Sequence, residues 1–159
     1  MGDLMKKVFK AVLITSFVFY LLALISLLFL GSRKLYVWDD VSFIEYIQFS
    51  SNFVPFQTIS IYFNALFDGS MNIDILIKNL FGNLLMFLPM GIYLPYFLRK
   101  LNKLGTFTIS IIILLLSIEV IQLITRLGSF DIDDLILNMV GALIGFGIWK
   151  TKIVQQLLT

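Results

Sequence analysis

Four apolar runs, each close to the length that crosses a bilayer, limit what this chain can fold into: about Val8 to Leu30, Ile75 to Leu98, Leu104 to Thr125 and Ile132 to Trp149. A hydrocarbon core roughly 30 Å thick takes about 20 apolar residues at helical rise. Inside it every backbone N–H and C=O must be satisfied without water, which isolated runs of this kind achieve only as helices. The expected fold class is therefore all-α, an integral membrane four-helix bundle forming a single domain over residues 1–159. Composition agrees, since hydrophobic residues make up 59% of the chain and charged residues only 14%, where a soluble domain carries about 25% charged. No internal repeat or low-complexity segment interrupts the pattern.

The same composition removes several chemistries. The chain has no Cys and no His, so thiolate nucleophiles, disulfides, haem ligation and His-based zinc or general-base sites are absent. No cofactor or metal is expected. A net charge of +2 gives no footprint for nucleic acid. The first run follows Lys6, Lys7 and Lys10, as a secretory signal would. Its apolar length is about twice that of a signal h-region, and LFLGSRK has no small-x-small cleavage site, so a retained signal anchor is the expectation.

Charge placement sets the orientation. With the N-terminus inside, Lys6, Lys7, Lys10, Arg99, Lys100, Lys103, Lys150 and Lys152 fall on the cytoplasmic side, and Arg33, Lys34, Lys78 and Arg126 fall outside. The positive-inside rule then puts both termini in the cytoplasm of a multi-pass bacterial cell-membrane protein. Asp39, Asp40, Glu45, Asp68, Asp74, Asp131, Asp133 and Asp134 lie outside in the same scheme.

The external segment Gly31 to Asp74, between the first two spans, is rich in aromatics (Trp38, Phe43, Tyr46, Phe49, Phe53, Phe56, Tyr62, Phe63, Phe67). From Pro55, the residues Phe56, Ile59, Phe63, Leu66 and Phe67 recur at helical spacing before the stop Asp68-Gly69, which predicts one short amphipathic helix. Two placements fit it: on the outer surface of the bilayer, or folded back over the bundle.

Polar residues within apolar spans are the candidates for function. A charged side chain in hydrocarbon costs roughly 2.5–3.5 kcal/mol on insertion scales, so such residues need partners or a task. The stretch from Glu119 to Lys150 holds Glu119, Gln122, Arg126, Asp131, Asp133, Asp134 and Asn138. With the second span running inwards, the third outwards and the fourth inwards again, Asn79 and Asn83, then Glu119, Gln122 and Arg126, then Asp133, Asp134 and Asn138 arrive at one depth under the external segment. Glu119, Gln122 and Arg126 stand at i, i+3 and i+7. Asp134, Asn138, Gly141 and Gly145 stand at i, i+4, i+7 and i+11 on one face. The small-xxx-small pair Gly141 and Gly145 suits a close helix seam, within the chain or in a homo-oligomer. Plainer roles stand beside these. Asp131 or Asp133 would cap the fourth helix and Asp74 the second span. Asn79 and Asn83 would be interhelical glue, and Arg126 would snorkel to the interface or pair with Asp134. Glu119, about 10 Å of helix rise below Arg126, must find a partner, a proton or water.

Four blocks carry a resemblance: N-F-V-P-F (Asn52 to Phe56), G-N-L-L-M-F-L-P-M-G (Gly82 to Gly91), I-E-V-I-Q-L-I-T-R (Ile118 to Arg126) and D-I-D-D-L-I-L-N-M-V-G-A-L-I-G (Asp131 to Gly145). Together they look like the VanZ-like family, over roughly two thirds of the chain, with the last block the most specific. The resemblance implies a bacterial membrane protein associated with resistance to the glycopeptide teicoplanin. It marks Asn52, Pro55, Phe56, Asn83, Pro89, Gly91, Glu119, Gln122, Arg126, Asp131, Asp133, Asp134, Asn138, Gly141 and Gly145 as signature positions. It implies no reaction.

Three functions fit. The first is an envelope factor holding a membrane lipid, or a lipid-linked or lipidated small molecule, at a polar site of Asn83, Glu119, Gln122, Arg126, Asp131, Asp133, Asp134 and Asn138, roofed by Asn52, Pro55 and Phe56. The second is an enzyme on a lipid-linked substrate, with Glu119 or Asp134 as base, Arg126 on a phosphate, and Mg²⁺ held by Glu119, Asp131, Asp133 and Asp134. The third is a small transporter or scramblase. The sequence leans to the first, a non-enzymatic role.

Overall fold

A computed structural model describes residues 3–30 and 41–158. Its order is α1 (Asp3–Ile25) continued by a π-turn (Ser26–Leu30), α2 (Phe43–Ser50), β1 (Ser51–Asn52), α3 (Gln57–Asp68), α4 (Ile73–Phe97), a 3₁₀ turn (Arg99–Asn102), α5 (Leu104–Ile124), β2 (Phe130–Asp131), α6 (Ile132–Trp149) and α7 (Lys152–Leu158). Among the described residues four helices are long and apolar enough to cross a membrane, at Lys7–Leu30, Ile73–Phe97, Leu104–Ile124 and Ile132–Trp149. The molecule is an all-α membrane bundle. The part of the external segment holding Arg33, Lys34, Trp38, Asp39 and Asp40 lies outside the described residues.

The centre of the bundle is the contact of α4 with α6. A Cβ at Gly141 would land on the carbonyl oxygen of Leu84, one at Gly145 on that of Leu88, and one at Gly91 on that of Ala142. Only hydrogen fits at these three positions, so the backbones touch. The small-xxx-small pair therefore forms a seam inside the chain, and its reading as a homo-oligomer interface is corrected, because α4 already fills it. Phe87 and Met90 of α4, Phe107, Ile111 and Leu115 of α5, and Ala142 and Phe146 of α6 complete the core, joined by Leu24 of α1. Phe107 and Phe146 stack at 4.6 Å. The outward faces of α1, α4 and α5 remain apolar and exposed, as a surface facing lipid must be.

The helix α1 is held more loosely. Tyr20 donates to the Met86 carbonyl at 2.9 Å and Tyr93 to Ser16 at 2.9 Å, while Phe17 packs on Tyr93 and Phe97 at 4.9 and 5.1 Å. At the opposite end of the bundle, Trp149 and Lys150 both donate to Asn102, at 2.6 Å each.

The segment between the first two spans holds two helices where the sequence reading expected one. The second, α3, starts two residues after Pro55 and stops at Gly69, whose φ of 67° and N–H bond to the Ala65 carbonyl make a left-handed C-cap. The additional one, α2, is nucleated by a capping box: Ser42 Oγ accepts from Glu45 N at 3.3 Å, and Ser42 N donates to the Glu45 carboxylate at 3.0 Å. The Ser42 hydroxyl and backbone amide hold the Glu45 carboxyl below the usual glutamate range, and Ser70 does the same for Asp68. The N-cap of α4 is Asn72, which accepts from Asp74 N at 2.9 Å. Asp74 sits in the first turn instead, favourable to the helix dipole.

Candidate functional site

Where α4 and α6 begin and α5 ends, polar side chains form two layers. The outer layer ties α3 to α6. Phe56, the N-cap of α3, stands at φ 65° with no side-chain cap of its own. Asp133 supplies the cap from another helix: its carboxylate accepts from Phe56 N at 2.5 Å and Ile59 N at 3.0 Å. A carboxylate on a helix N-terminus gains from charge-assisted bonds and the dipole together, which lets Asp133 be 0% exposed. Asp131 caps its own helix by accepting from Asp133 N at 2.9 Å. It also accepts from Asn52 Nδ2 at 3.1 Å and from the Thr58 hydroxyl at 2.7 Å. A two-residue parallel pairing, Ser51 with Phe130 and Asn52 with Asp131, completes the tie, and Tyr46 donates to the Gly128 carbonyl below it.

The inner layer is a recess. Asn83 of α4, Glu119 and Gln122 of α5, and Asp134 and Asn138 of α6 line a cavity of about 40 Å³, with Leu27, Leu28 and Met86 as its apolar wall. Asn83 Nδ2 donates to Asp134. Gln122 Nε2 donates to the Leu28 carbonyl at 2.7 Å, within the π-turn that ends the first span. Glu119 accepts a long bond of 3.4 Å from Asp131 N, linking the layers. Asn138 Oδ1 is buried and has no hydrogen-bond partner.

Beside the recess runs a groove of about 610 Å³ between α1 and α4, lined by Tyr20, Ala23, Leu24 and Leu27 on one side and Lys78, Gly82, Asn83, Leu85, Met86 and Pro89 on the other. Leu27, Asn83 and Met86 belong to both walls, so the polar recess adjoins an apolar channel.

The remaining candidates lie elsewhere. Arg126 follows the end of α5 with φ 56°, so the i+7 spacing from Glu119 does not carry to it. Its guanidinium lies 5.9 Å from the Phe43 ring and 5.5 Å from Tyr46, a cation–π geometry, and it is absent from the recess wall. Asn79 donates to Ile75 O within its own helix at 2.8 Å. Of the three roof residues, Asn52 and the Phe56 backbone join the outer layer, Pro55 is exposed, and none lines the recess. Among the described residues no three carboxylates gather as a metal site. Asp131 and Asp133 direct their oxygens at α3 and its approach, so the Mg²⁺ cage left open by the sequence does not form.

Sequence reasoning missed Thr58, whose hydroxyl accepts from Asn52 at 3.0 Å and donates to Asp131. It also missed Gly128, where a Cβ would press on the Gln122 side chain. The Ser42-x-x-Glu45 spacing was a signal for α2.

The VanZ/LLP1 family description matches residues 17–155. The chain belongs to the VanZ/LLP1 family. One member of known sequence, Protein VanZ of Enterococcus faecium, is 30% identical over 128 residues, spanning 80% of this chain and 69% of that protein. No solved structure matches. The VanZ/LLP1 match covers both polar layers and the seam that holds them.

Proposed function

We propose that this VanZ/LLP1 protein is an envelope factor of the bacterial cell membrane that binds a lipidated or lipid-linked amphiphile in the outward half of the bilayer. The ligand's polar end meets the recess, and its acyl chain lies along the groove between α1 and α4. The supporting observation is the wall shared by the two spaces, at Leu27, Asn83 and Met86: a buried polar cluster beside an apolar channel suits a molecule with one end of each kind. The family resemblance suggests teicoplanin, a glycopeptide with an acyl chain, as the antibiotic whose membrane anchoring is hindered, either by direct binding or by occupation of a lipid-linked precursor. Positive-inside charge placement supports cytoplasmic termini.

Resistance at equal expression tests the reading. A Cβ at Gly82 meets nothing within 4 Å, so Gly82→Trp fills the groove with little strain; it is expected to restore teicoplanin sensitivity, as is Glu119→Gln. Unchanged resistance in both would overturn the reading. Because the chain has no Cys, single cysteines report orientation: Gln48→Cys should react with an impermeant maleimide on intact cells and Gln156→Cys should not.

A further inference from the structure

We infer that the end of the bundle opposite the recess holds a second site, which takes the phosphate of an anionic membrane lipid. It stands apart from the amphiphile reading above, since its wall shares no residue with the recess or the groove.

The site is a cavity of about 420 Å³ where α1 starts and α4 and α6 finish, within the size range of small-molecule pockets. Lys10 of α1, Tyr96 of α4, Arg99 and Asn102 of the 3₁₀ turn, Trp149 of α6 and Leu158 of α7 contribute to its wall. Among the described residues that line it there is no Asp or Glu. The acid nearest Lys10 in sequence is Asp3, about 10.5 Å of helix rise away.

The polar groups of this wall are donors in search of an acceptor. Trp149 Nε1 donates to Asn102 Oδ1 at 2.6 Å. An indole N–H can only donate, so this bond fixes the amide with its oxygen engaged. Asn102 Nδ2 then has no partner among the described residues, and neither Lys10 nor Arg99 makes a hydrogen bond or ion pair to one of them. Lys150, at the same end, differs: it donates to the Asn102 carbonyl at 2.6 Å and lies over the Phe146 ring. Two cations from separate elements, with an amide donor on the same cavity, suit an anion that accepts several bonds. A phosphate is such a group, and the guanidinium fork matches its oxygens in pairs.

Depth points to the source. Lys10 lies in the first turn of the span Lys7–Leu30, and Trp149 closes the span Ile132–Trp149. The cavity therefore sits where hydrocarbon gives way to head groups, the level of a lipid phosphate. Tyr96 and Trp149 are ring types enriched at that level, and Leu158 adds apolar wall for the start of an acyl chain. Near this end α1 reaches α4 through uncharged groups, Ser16 with Tyr93 and Phe17 with Phe97. A phosphate shared by Lys10 and Arg99 adds an ionic tie.

Native mass spectrometry of the full-length protein tests this, with phosphatidylglycerol, phosphatidylcholine and diacylglycerol of matched acyl chains as probes. Phosphatidylglycerol should be retained on the order of tenfold over the other two, the scale expected of two cations near a membrane surface. In the double variant Lys10→Gln, Arg99→Gln the preference should vanish while phosphatidylcholine is retained as before. The double variant Lys103→Gln, Lys152→Gln removes the same charge outside the wall, and the preference should stay. No preference in the wild type, or an equal fall in the two double variants, would overturn the site in favour of diffuse surface charge. Should the first double variant fail to fold, either of its single substitutions, at an exposed residue, should lower the preference about threefold. The preference should persist in Gly82→Trp; its loss there would put the lipid in the groove and overturn this site, whatever becomes of resistance. Inorganic phosphate separates the sources. In detergent the unfolding midpoint should rise with phosphatidylglycerol and not with millimolar phosphate, and an equal rise with both would overturn the lipid.

Discussion

Asp133 and Asn138 stand five residues apart on one helix, with exposures of 0% and 3%, yet their surroundings differ in kind. The Asp133 carboxylate accepts two backbone N–H bonds from the start of α3. Asn138 Oδ1 accepts none. The outer layer is a satisfied clamp whose task is to hold α3 against the bundle. The inner layer leaves one buried acceptor without a protein partner. Burial alone would have grouped the two residues; the accounting of hydrogen bonds separates them.

The comparison breaks first, if it breaks, at Asp133. Asp133→Ala leaves the N–H groups of Phe56 and Ile59 without an acceptor, and about 3 kcal/mol of stability should go, read as a shift of the unfolding midpoint in detergent. A loss no greater than that of the exposed Asp68→Ala would mean that the clamp is not one. A smaller effect, about 1 kcal/mol, is expected of Thr58→Val, which removes the hydroxyl between Asn52 and Asp131. The smallest belongs to the inner layer. Asn138→Leu replaces an amide of similar size and removes a desolvated acceptor, so stability should be unchanged or slightly higher. A loss like that of Asp133→Ala would place Asn138 in the structural layer and erase the distinction.

The glycine seam offers a second contrast, with α1. α4 and α6 meet backbone to backbone at Gly91, Gly141 and Gly145, which leaves no room between them. α1 meets α4 through the side chains of Phe17 and Tyr20, and the groove opens beside Tyr20. Small residues close a gap only where the facing backbone comes up to them, as at Gly141, and leave one where it does not, as at Gly82.

Much of the site's placement was legible because a helix is a rigid ruler. Apolar run length gave the spans, with the last matching Ile132–Trp149 at both ends. The spacing of Asp134, Asn138, Gly141 and Gly145 assigned one face of α6, and that of Glu119 and Gln122 one face of α5. Legibility failed where a helix stopped. The spacing from Glu119 to Arg126 assumed a turn that α5 does not make, since it ends at Ile124 and Arg126 takes a left-handed backbone. The partners of the roof residues also could not be read from spacing, because Asn52 and Phe56 reach Asp131 and Asp133 across a sequence separation of nearly eighty residues.

The sequence by itself thus determined the membrane-spanning class, the four spans and which polar groups share a helical face, since hydrophobicity and the helical period are local properties. Tertiary structure alone decided that Asp133 caps α3 while Asn138 keeps an unpartnered acceptor, that the glycines face α4, and that a groove adjoins the recess. Each of these depends on which group the fold brings opposite another, and no spacing along one segment carries that information.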